Sequence, residues 1–119
     1  MALSRPAITV AMSVYNGAAF LAPAIESVLA QTFGDFEFLV LDDGSNDDSR
    51  AIAEGYAARD SRLHVISRAN RGLVASLNQL FNEARAPIVA RFDADDLCRP
   101  ERLARQYAFL MAQPDHGLV

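Results

Sequence analysis

Short apolar runs rich in β-branched residues alternate along this chain with longer segments of helical periodicity, and this pattern constrains the fold most. The pattern is typical of β–α–β units, in which helices join parallel strands and cover the faces of the sheet. The predicted strands are residues 7–14, 36–41, 63–67 and 88–92. The chain is therefore predicted to be an α/β protein with a mostly parallel sheet.

Helices are predicted between these strands at residues 18–31, from a cap at Asn46 or Asp47 to about 59, and at 71–86. The third helix has an apolar stripe of Leu73, Leu77, Leu80 and Phe81 at helical spacing. A last helix begins near Pro100, and residues 117–119 resemble the start of a fifth strand. At 119 residues the chain suits one domain, and we expect that domain to be cut from a longer protein.

The composition argues against several classes of protein. The net charge is −4 and the chain contains no lysine, so the basic surface that nucleic acids require is not expected. No apolar run approaches the roughly 20 residues of a membrane span. The single Cys98 fits a reducing compartment. We expect a cytoplasmic location, with a peripheral membrane role left open for a longer parent.

Polar and aromatic residues follow the predicted strands. Ligands of open parallel sheets bind in the crevice beyond the carboxyl ends of the strands, so these residues are the candidates for function. They are Tyr15 and Asn16 after the first strand, Asp42 and Asp43 after the second, Arg68, Asn70 and Arg71 after the third, and Asp93, Asp95 and Asp96 after the fourth.

The carboxylates of Asp93, Asp95 and Asp96 predict a divalent metal site. Crowded negative charges repel one another unless a cation is bound, and hard oxygen ligands suit Mg²⁺ or Mn²⁺. Such ions commonly complete their coordination with water and substrate phosphates. The alternative is that these residues only cap the following helix, which Asp96 in particular could do.

The other candidates each have a structural and a ligand-binding interpretation. Asp42 and Asp43 begin a DDGS sequence that is suitable for a plain turn, although a carboxylate there could also accept hydrogen bonds from a base or ribose. Tyr15 could stack on a base or cover the edge of the core. Arg71 lies at a predicted helix start that suits a diphosphate, or it is a solvated surface residue.

Several short motifs occur together in a fixed order. They are SVYN, ES-x-L-x-Q-T, LDDGS, N-x-G and DADD, spread over residues 7–112. In this combination the chain strongly resembles the family 2 glycosyltransferases. The resemblance implies a GT-A fold, a nucleotide-diphosphate sugar donor, a divalent metal, and inversion at the anomeric carbon. Among such donors, a UDP-sugar is expected first.

The resemblance also implies roles for individual residues. Tyr15 would lie against the base, Asp42 or Asp43 would bind the base or ribose, and Arg71 would face the base or phosphates. Asn16 and Asn70, from the SVYN and N-x-G motifs, join this donor-binding set. Asp95 is expected to bind the metal, Asp93 the ribose or metal, and Asp96 is a possible extra ligand.

The family's catalytic base and acceptor-binding segments have no counterpart here, so we expect the base beyond residue 119. The acceptor, a glycan or lipid, is not identified by the sequence. We expect this chain to bind donor better than it transfers sugar, and a homodimer is a possible consequence of the exposed edge.

Three other functions are alternatives for a chain with aspartates at the strand ends. A nucleotidyltransferase would normally carry a glycine-rich basic loop after the first strand, but the sequence there is YNGAAF. A phosphatase with an aspartate nucleophile generally needs a lysine near the phosphate, and the chain has none. A non-catalytic module that binds nucleotide-sugars remains the main alternative.

Overall fold

The computed structural model describes residues 5–95 and 97–112. Strands and helices alternate along the chain, as predicted, which confirms the α/β class. The elements are β1 Ile8–Val14, α1 Ala18–Leu29, β2 Phe36–Asp43, α2 Ser49–Ala57, β3 Leu63–Arg68, α3 Leu73–Glu83, β4 Ile88–Asp93 and α4 Arg102–Ala112. Asp96 and the predicted fifth strand at 117–119 lie outside the described residues.

The four strands form one parallel sheet in the order β3-β2-β1-β4. The chain leaves β1 toward β2 and β3 on one side, and then crosses back to place β4 on the other side of β1. The direction of the strand order therefore reverses between β1 and β4. In an open parallel sheet, such a reversal opens a crevice at the carboxyl ends of the two strands.

Helices cover both faces of the sheet, and the two cores differ in size. The larger core packs the sheet against α1, α2 and α4; it includes Val10, Met12, Leu21, Ile25, Phe38, Val40 and Leu103. The smaller core packs Ala11, Leu39 and Leu41 against Leu80 of α3. Because successive side chains of a strand point to opposite faces, Asp42 lies on the side of the larger core and Asp43 on the side of α3.

The prediction for the apolar stripe of α3 was right for Leu77 and Leu80, which pack in the smaller core, and wrong for Leu73 and Phe81. Leu73 and Phe81 are 53% and 49% exposed, whereas Ser76 and Leu80 are fully buried. These two residues lie one helical turn apart and form the line of contact with the sheet. Arg68 of β3 donates a hydrogen bond to Ser76 Oγ at 2.6 Å. The buried side of α3 therefore also has a polar contact with the sheet.

Other element boundaries differ from the prediction by a few residues. β2 extends through Asp42 and Asp43, which therefore belong to the strand rather than to the turn that follows it. The helix α2 begins at Ser49, and Asp47 Oδ1 accepts a hydrogen bond from its backbone N–H at 2.9 Å. In the described part of the chain, no helix has the length and apolarity needed to cross a membrane.

Candidate functional site

A cleft of about 280 Å³ lies at the reversal of strand order, between the ends of β1 and β4. Its walls are Ser13, Val14, Tyr15, Asn16, Gly17, Phe20, Ala94 and Asp95. The rings of Tyr15 and Phe20 are 52% and 60% exposed. Exposed aromatic rings beside a crevice are suited to hold a flat ligand such as a base. Tyr15, Asn16 and Asp95, three of the predicted residues, therefore meet at one cleft.

Phe20 is a candidate site residue that the sequence analysis missed. It lies in the first turn of α1, outside the buried line of Leu21, Ile25 and Val28. The available signal was a large aromatic residue outside the apolar stripe of the first helix and shortly after the SVYN motif.

Asp93 and Asp95 lie at the carboxyl end of β4. Asp93 is the last residue of the strand, and its side chain, 60% exposed, accepts a hydrogen bond from Arg91 Nη2 at 3.3 Å. Asp95 is two residues further along and is also exposed. Within residues 5–95 and 97–112, no group of three His, Cys, Asp or Glu side chains could hold a metal ion. The predicted third ligand, Asp96, lies outside those residues.

Asp43 fixes the loop between β3 and α3. Its side chain is 5% exposed. It accepts hydrogen bonds from Arg71 N at 2.8 Å, Gly72 N at 3.0 Å, Asn70 Nδ2 at 3.2 Å and Arg68 Nη2 at 3.2 Å. A carboxylate has about four lone-pair sites, so these donors use nearly all of its capacity. The side chain of Asp43 is therefore committed to holding this loop.

Arg68 extends the same network into α3. Its side chain is 13% exposed, and its guanidinium also donates to Ser76 Oγ and to Gln79 Oε1, each at 2.6 Å. The ion pair of Arg68 with Asp43 thus connects β2, β3 and α3. This network determines where Asn70 and Arg71, two of the predicted binding residues, lie relative to the sheet.

Gly44 allows the same loop to approach β2. Its φ is +75°, in the left-handed region that favours glycine, and a Cβ there would lie 2.5 Å from the backbone nitrogen of Asn70. The side chain of Asn70 donates in turn to the backbone carbonyl of Asp43 at 3.0 Å. The LDDGS and N-x-G motifs are therefore packing partners, a relation that their sequence positions do not reveal.

Asp42 differs from its neighbour. It is 2% exposed, and its Oδ1 has no hydrogen-bond partner among the described residues. Buried polar atoms are nearly always paired, because an unpaired one loses its hydrogen bonds to water. The Asp42 carboxylate therefore has a hydrogen-bonding capacity that the surrounding protein does not use.

Asn16 joins the first loop to the second. Its φ is +52°, and its Oδ1 accepts a hydrogen bond from Asn46 N at 2.7 Å. Its own backbone N–H donates to Ser45 Oγ at 2.9 Å. Asn16 borders the cleft, but its side-chain oxygen is already used in holding the loop after β2 against the turn after β1.

The structure places Arg71 away from the cleft beside Tyr15. Its exposed side chain borders a separate groove of about 390 Å³ on α3; the groove is lined by Arg68, Arg71, Ala75, Asn78, Gln79 and Asn82. The predicted residues therefore form two groups. Tyr15, Asn16 and Asp95 meet at the cleft, whereas Asn70 and Arg71 surround the carboxylate of Asp43.

Comparison with known proteins agrees with this architecture. The family model described as Glycosyl transferase family 2 matches residues 9–119. The chain belongs to this family. EpsE of Bacillus subtilis (strain 168) is 42% identical over 118 residues, which cover 98% of this chain and 42% of EpsE. The chain thus spans less than half the length of this relative.

Solved structures show the same fold. The structure of S. aureus TarS 1-349 in complex with UDP-GlcNAc superposes with a TM-score of 0.83 at 28% identity, covering 90% of this chain and 32% of that one. The mannosyltransferase PcManGT from Pyrobaculum calidifontis, in complex with GDP-Man and Mn²⁺, gives 0.81 at 26% identity, with coverage of 90% and 33%. The chain has the GT-A fold, as the resemblance implied.

Proposed function

We propose that the protein transfers a sugar from a nucleotide-diphosphate sugar to a glycan or lipid acceptor, with inversion at the anomeric carbon. The donor proposed first is a UDP-sugar. The observation that carries the proposal is the cleft at the reversal of strand order, where Tyr15 and Asp95 meet. The similarity to structures solved with UDP-GlcNAc and with GDP-Man supports a donor of this class.

In this proposal the base stacks on Tyr15 and contacts Phe20, because both rings are exposed at the cleft. One carboxylate of the Asp42 and Asp43 pair binds the base or ribose. Asp42 is the better candidate, since its Oδ1 is unpaired among the described residues while the oxygens of Asp43 hold the β3–α3 loop. We propose that Asn70 and Arg71, which lie outside the cleft on that loop, contact the part of the donor that extends beyond it, and that Asn16 holds the rim of the cleft.

Asp93 and Asp95 would hold a divalent metal, Mg²⁺ or Mn²⁺, with Asp96 as a further ligand. Both described carboxylates are exposed at the end of β4, and hard oxygen donors of this kind fit either ion. A metal bound there supplies positive charge to the diphosphate leaving group. The Mn²⁺ in the PcManGT structure supports this assignment.

Removal of the acceptor proton requires a base within hydrogen-bonding reach of the acceptor hydroxyl. We propose that this base lies beyond residue 119, so the present chain alone binds donor and transfers little or no sugar. A non-catalytic module that binds nucleotide-sugars would share the same cleft. Donor-dependent transfer by the full gene product distinguishes an enzyme from such a module.

A thermal-shift screen of UDP, GDP, CDP and dTDP with their sugars, each with Mn²⁺ or EDTA, tests the donor class. A ligand at about 100 times its dissociation constant stabilises the native state by about 2.7 kcal/mol. We expect one base to raise the melting temperature, and only with Mn²⁺. If no nucleotide shifts the melting temperature under either condition, the proposed function is wrong.

A further inference from the structure

Gln31, just beyond the end of α1, contacts the segment that follows the carboxylate loop of β4. Its side chain is buried at 7% exposure. Its Nε2 donates to Arg99 O at 2.7 Å and lies 3.0 Å from Cys98 Sγ, and its Oε1 accepts from Leu103 N at 3.1 Å. A single amide therefore holds three points along residues 98–103.

Ser27 and Thr32 add contacts to the same segment. Cys98 N donates to Ser27 Oγ at 2.9 Å, and Thr32 N donates to Pro100 O at 2.8 Å. Ser27, Gln31 and Thr32 are three of the four polar residues of the ES-x-L-x-Q-T motif, and none of them contributes to the proposed donor site. The motif therefore has a function that the donor contacts do not account for.

The loop between β4 and this segment carries Asp95. At its start, Asp93 is aligned with Ser13 of β1 in the parallel sheet. At its other end, Cys98 is held by Ser27 and Gln31. The loop is thus fixed at both ends, by the strand before Tyr15 and by the helix after it. The relative position of Tyr15 and Asp95 depends on both attachments.

We infer that Gln31 is a positioning residue that sets the location of the Asp95 loop, and thereby the affinity for the metal. The inference rests on the proposed function of that loop. An apolar side chain of similar size would fill the space, but it would remove the hydrogen bonds of Gln31 to Arg99 O and Leu103 N, and Arg99 O would keep only the one from Arg102 N at 3.0 Å. The amide therefore serves the placement of the segment and not only its packing.

The test uses Gln31→Met in the full gene product, with Mn²⁺ and UDP as probes. We expect the Mn²⁺ concentration for half-maximal UDP binding to rise about tenfold or more, the usual range for residues that orient metal ligands. Cys98 is the only cysteine of residues 1–119 and is buried, so its labelling by a thiol reagent, followed in the peptide that contains Cys98, reports on the segment without any metal. We expect the labelling of Cys98 to accelerate.

The matched control is Glu37→Gln in β2, on the face of the sheet that α3 covers. Glu37 is also buried, and its hydrogen-bond partners are Thr9 Oγ1 at 2.6 Å and Arg85 N at 2.7 Å rather than residues of the 98–103 segment. It should lower the melting temperature without changing the Mn²⁺ requirement. This control separates a general loss of stability from a displaced loop.

If Gln31→Met lowers stability but leaves both the Mn²⁺ requirement and Cys98 labelling as in the wild type, the inference is overturned. If Gln31→Met does not fold, Ser27→Ala should raise the Mn²⁺ requirement and accelerate the labelling of Cys98, and Ser27→Thr should restore both to the wild-type values. An unchanged Mn²⁺ requirement and labelling rate in Ser27→Ala would also overturn the inference. If UDP binding by the wild type does not depend on Mn²⁺, the proposed function is refuted instead. In that case the rate of Cys98 labelling in Gln31→Met still decides whether Gln31 holds the loop.

Discussion

Asp42 and Asp43 are adjacent, equally buried carboxylates for which the structure predicts opposite effects of the same substitution. Asp43→Asn removes the charge that faces the Arg68 guanidinium, which is 13% exposed. It also turns an amide group toward the donors of the β3–α3 loop, the backbone N–H groups of Arg71 and Gly72. Asp42→Asn removes a charge whose Oδ1 has no partner among the described residues.

The magnitude for Asp43→Asn follows from the contacts that remain. Removing one partner of a buried ion pair usually costs about 3–5 kcal/mol. Arg68 keeps its hydrogen bonds to Ser76 and Gln79, so we expect the lower end, about 3 kcal/mol. For a chain of this size, that loss lowers the melting temperature by about 12 °C. Asp42→Asn should change stability by less than about 1 kcal/mol, toward a more stable protein.

Thermal and urea unfolding followed by circular dichroism at pH 7 measures both variants. The two chains differ only in which of two adjacent carboxylates is neutralised, so each serves as the control for the other. A melting temperature of Asp43→Asn within about 2 °C of the wild type, or a larger loss for Asp42→Asn, would refute the assigned roles.

Three further predictions concern single residues. Tyr15→Ala should weaken UDP binding by about 1–3 kcal/mol in calorimetry while Tyr15→Phe is nearly neutral, and an equal loss with Phe would point to the hydroxyl. Burial alone would raise the pKa of Glu37, but hydrogen bonds from Arg85 N–H and the Thr9 hydroxyl outweigh it and lower that pKa. Glu37 therefore stabilises the fold above about pH 4.3, and this contribution is lost as the pH falls through the lowered pKa. The free energy of unfolding of Glu37→Gln should consequently fall less steeply with decreasing pH than that of the wild type. Gly44→Ala should cost more than about 1 kcal/mol in urea unfolding, because its Cβ would meet the loop at Asn70; an unchanged midpoint would contradict this.

Much of the fold could be predicted from the sequence because the pattern of the strands is local. The runs at β1 and β2 are buried on both faces and are therefore nearly continuous apolar segments, whereas β4 alternates because Arg91 and Asp93 are exposed. Their alternation with helices limits the sheet to a parallel arrangement, which brings the polar strand ends to one edge. Tyr15 and Asp95 could be placed at a common site by this argument alone.

The roles of other residues depend on contacts between distant segments. The extra two residues of β2 place Asp42 and Asp43 on opposite faces, which a turn prediction could not distinguish. The buried side of α3 combines Leu77 and Leu80 with Ser76, whose contact with Arg68 the apolar stripe could not predict. Gln31 and Cys98 lie 67 residues apart, so no local pattern connects them.

The most direct test of the account is the Mn²⁺ dependence of UDP binding, measured by isothermal titration calorimetry for the wild type and for Asp95→Asn. Asp95 is exposed, so the substitution should leave the melting temperature of the metal-free protein unchanged or slightly higher. The account predicts that Mn²⁺ tightens UDP binding by the wild type by about tenfold or more and has no such effect on Asp95→Asn. Equal binding by the two proteins, with the same response to Mn²⁺, would contradict the assignment of Asp95 to the metal.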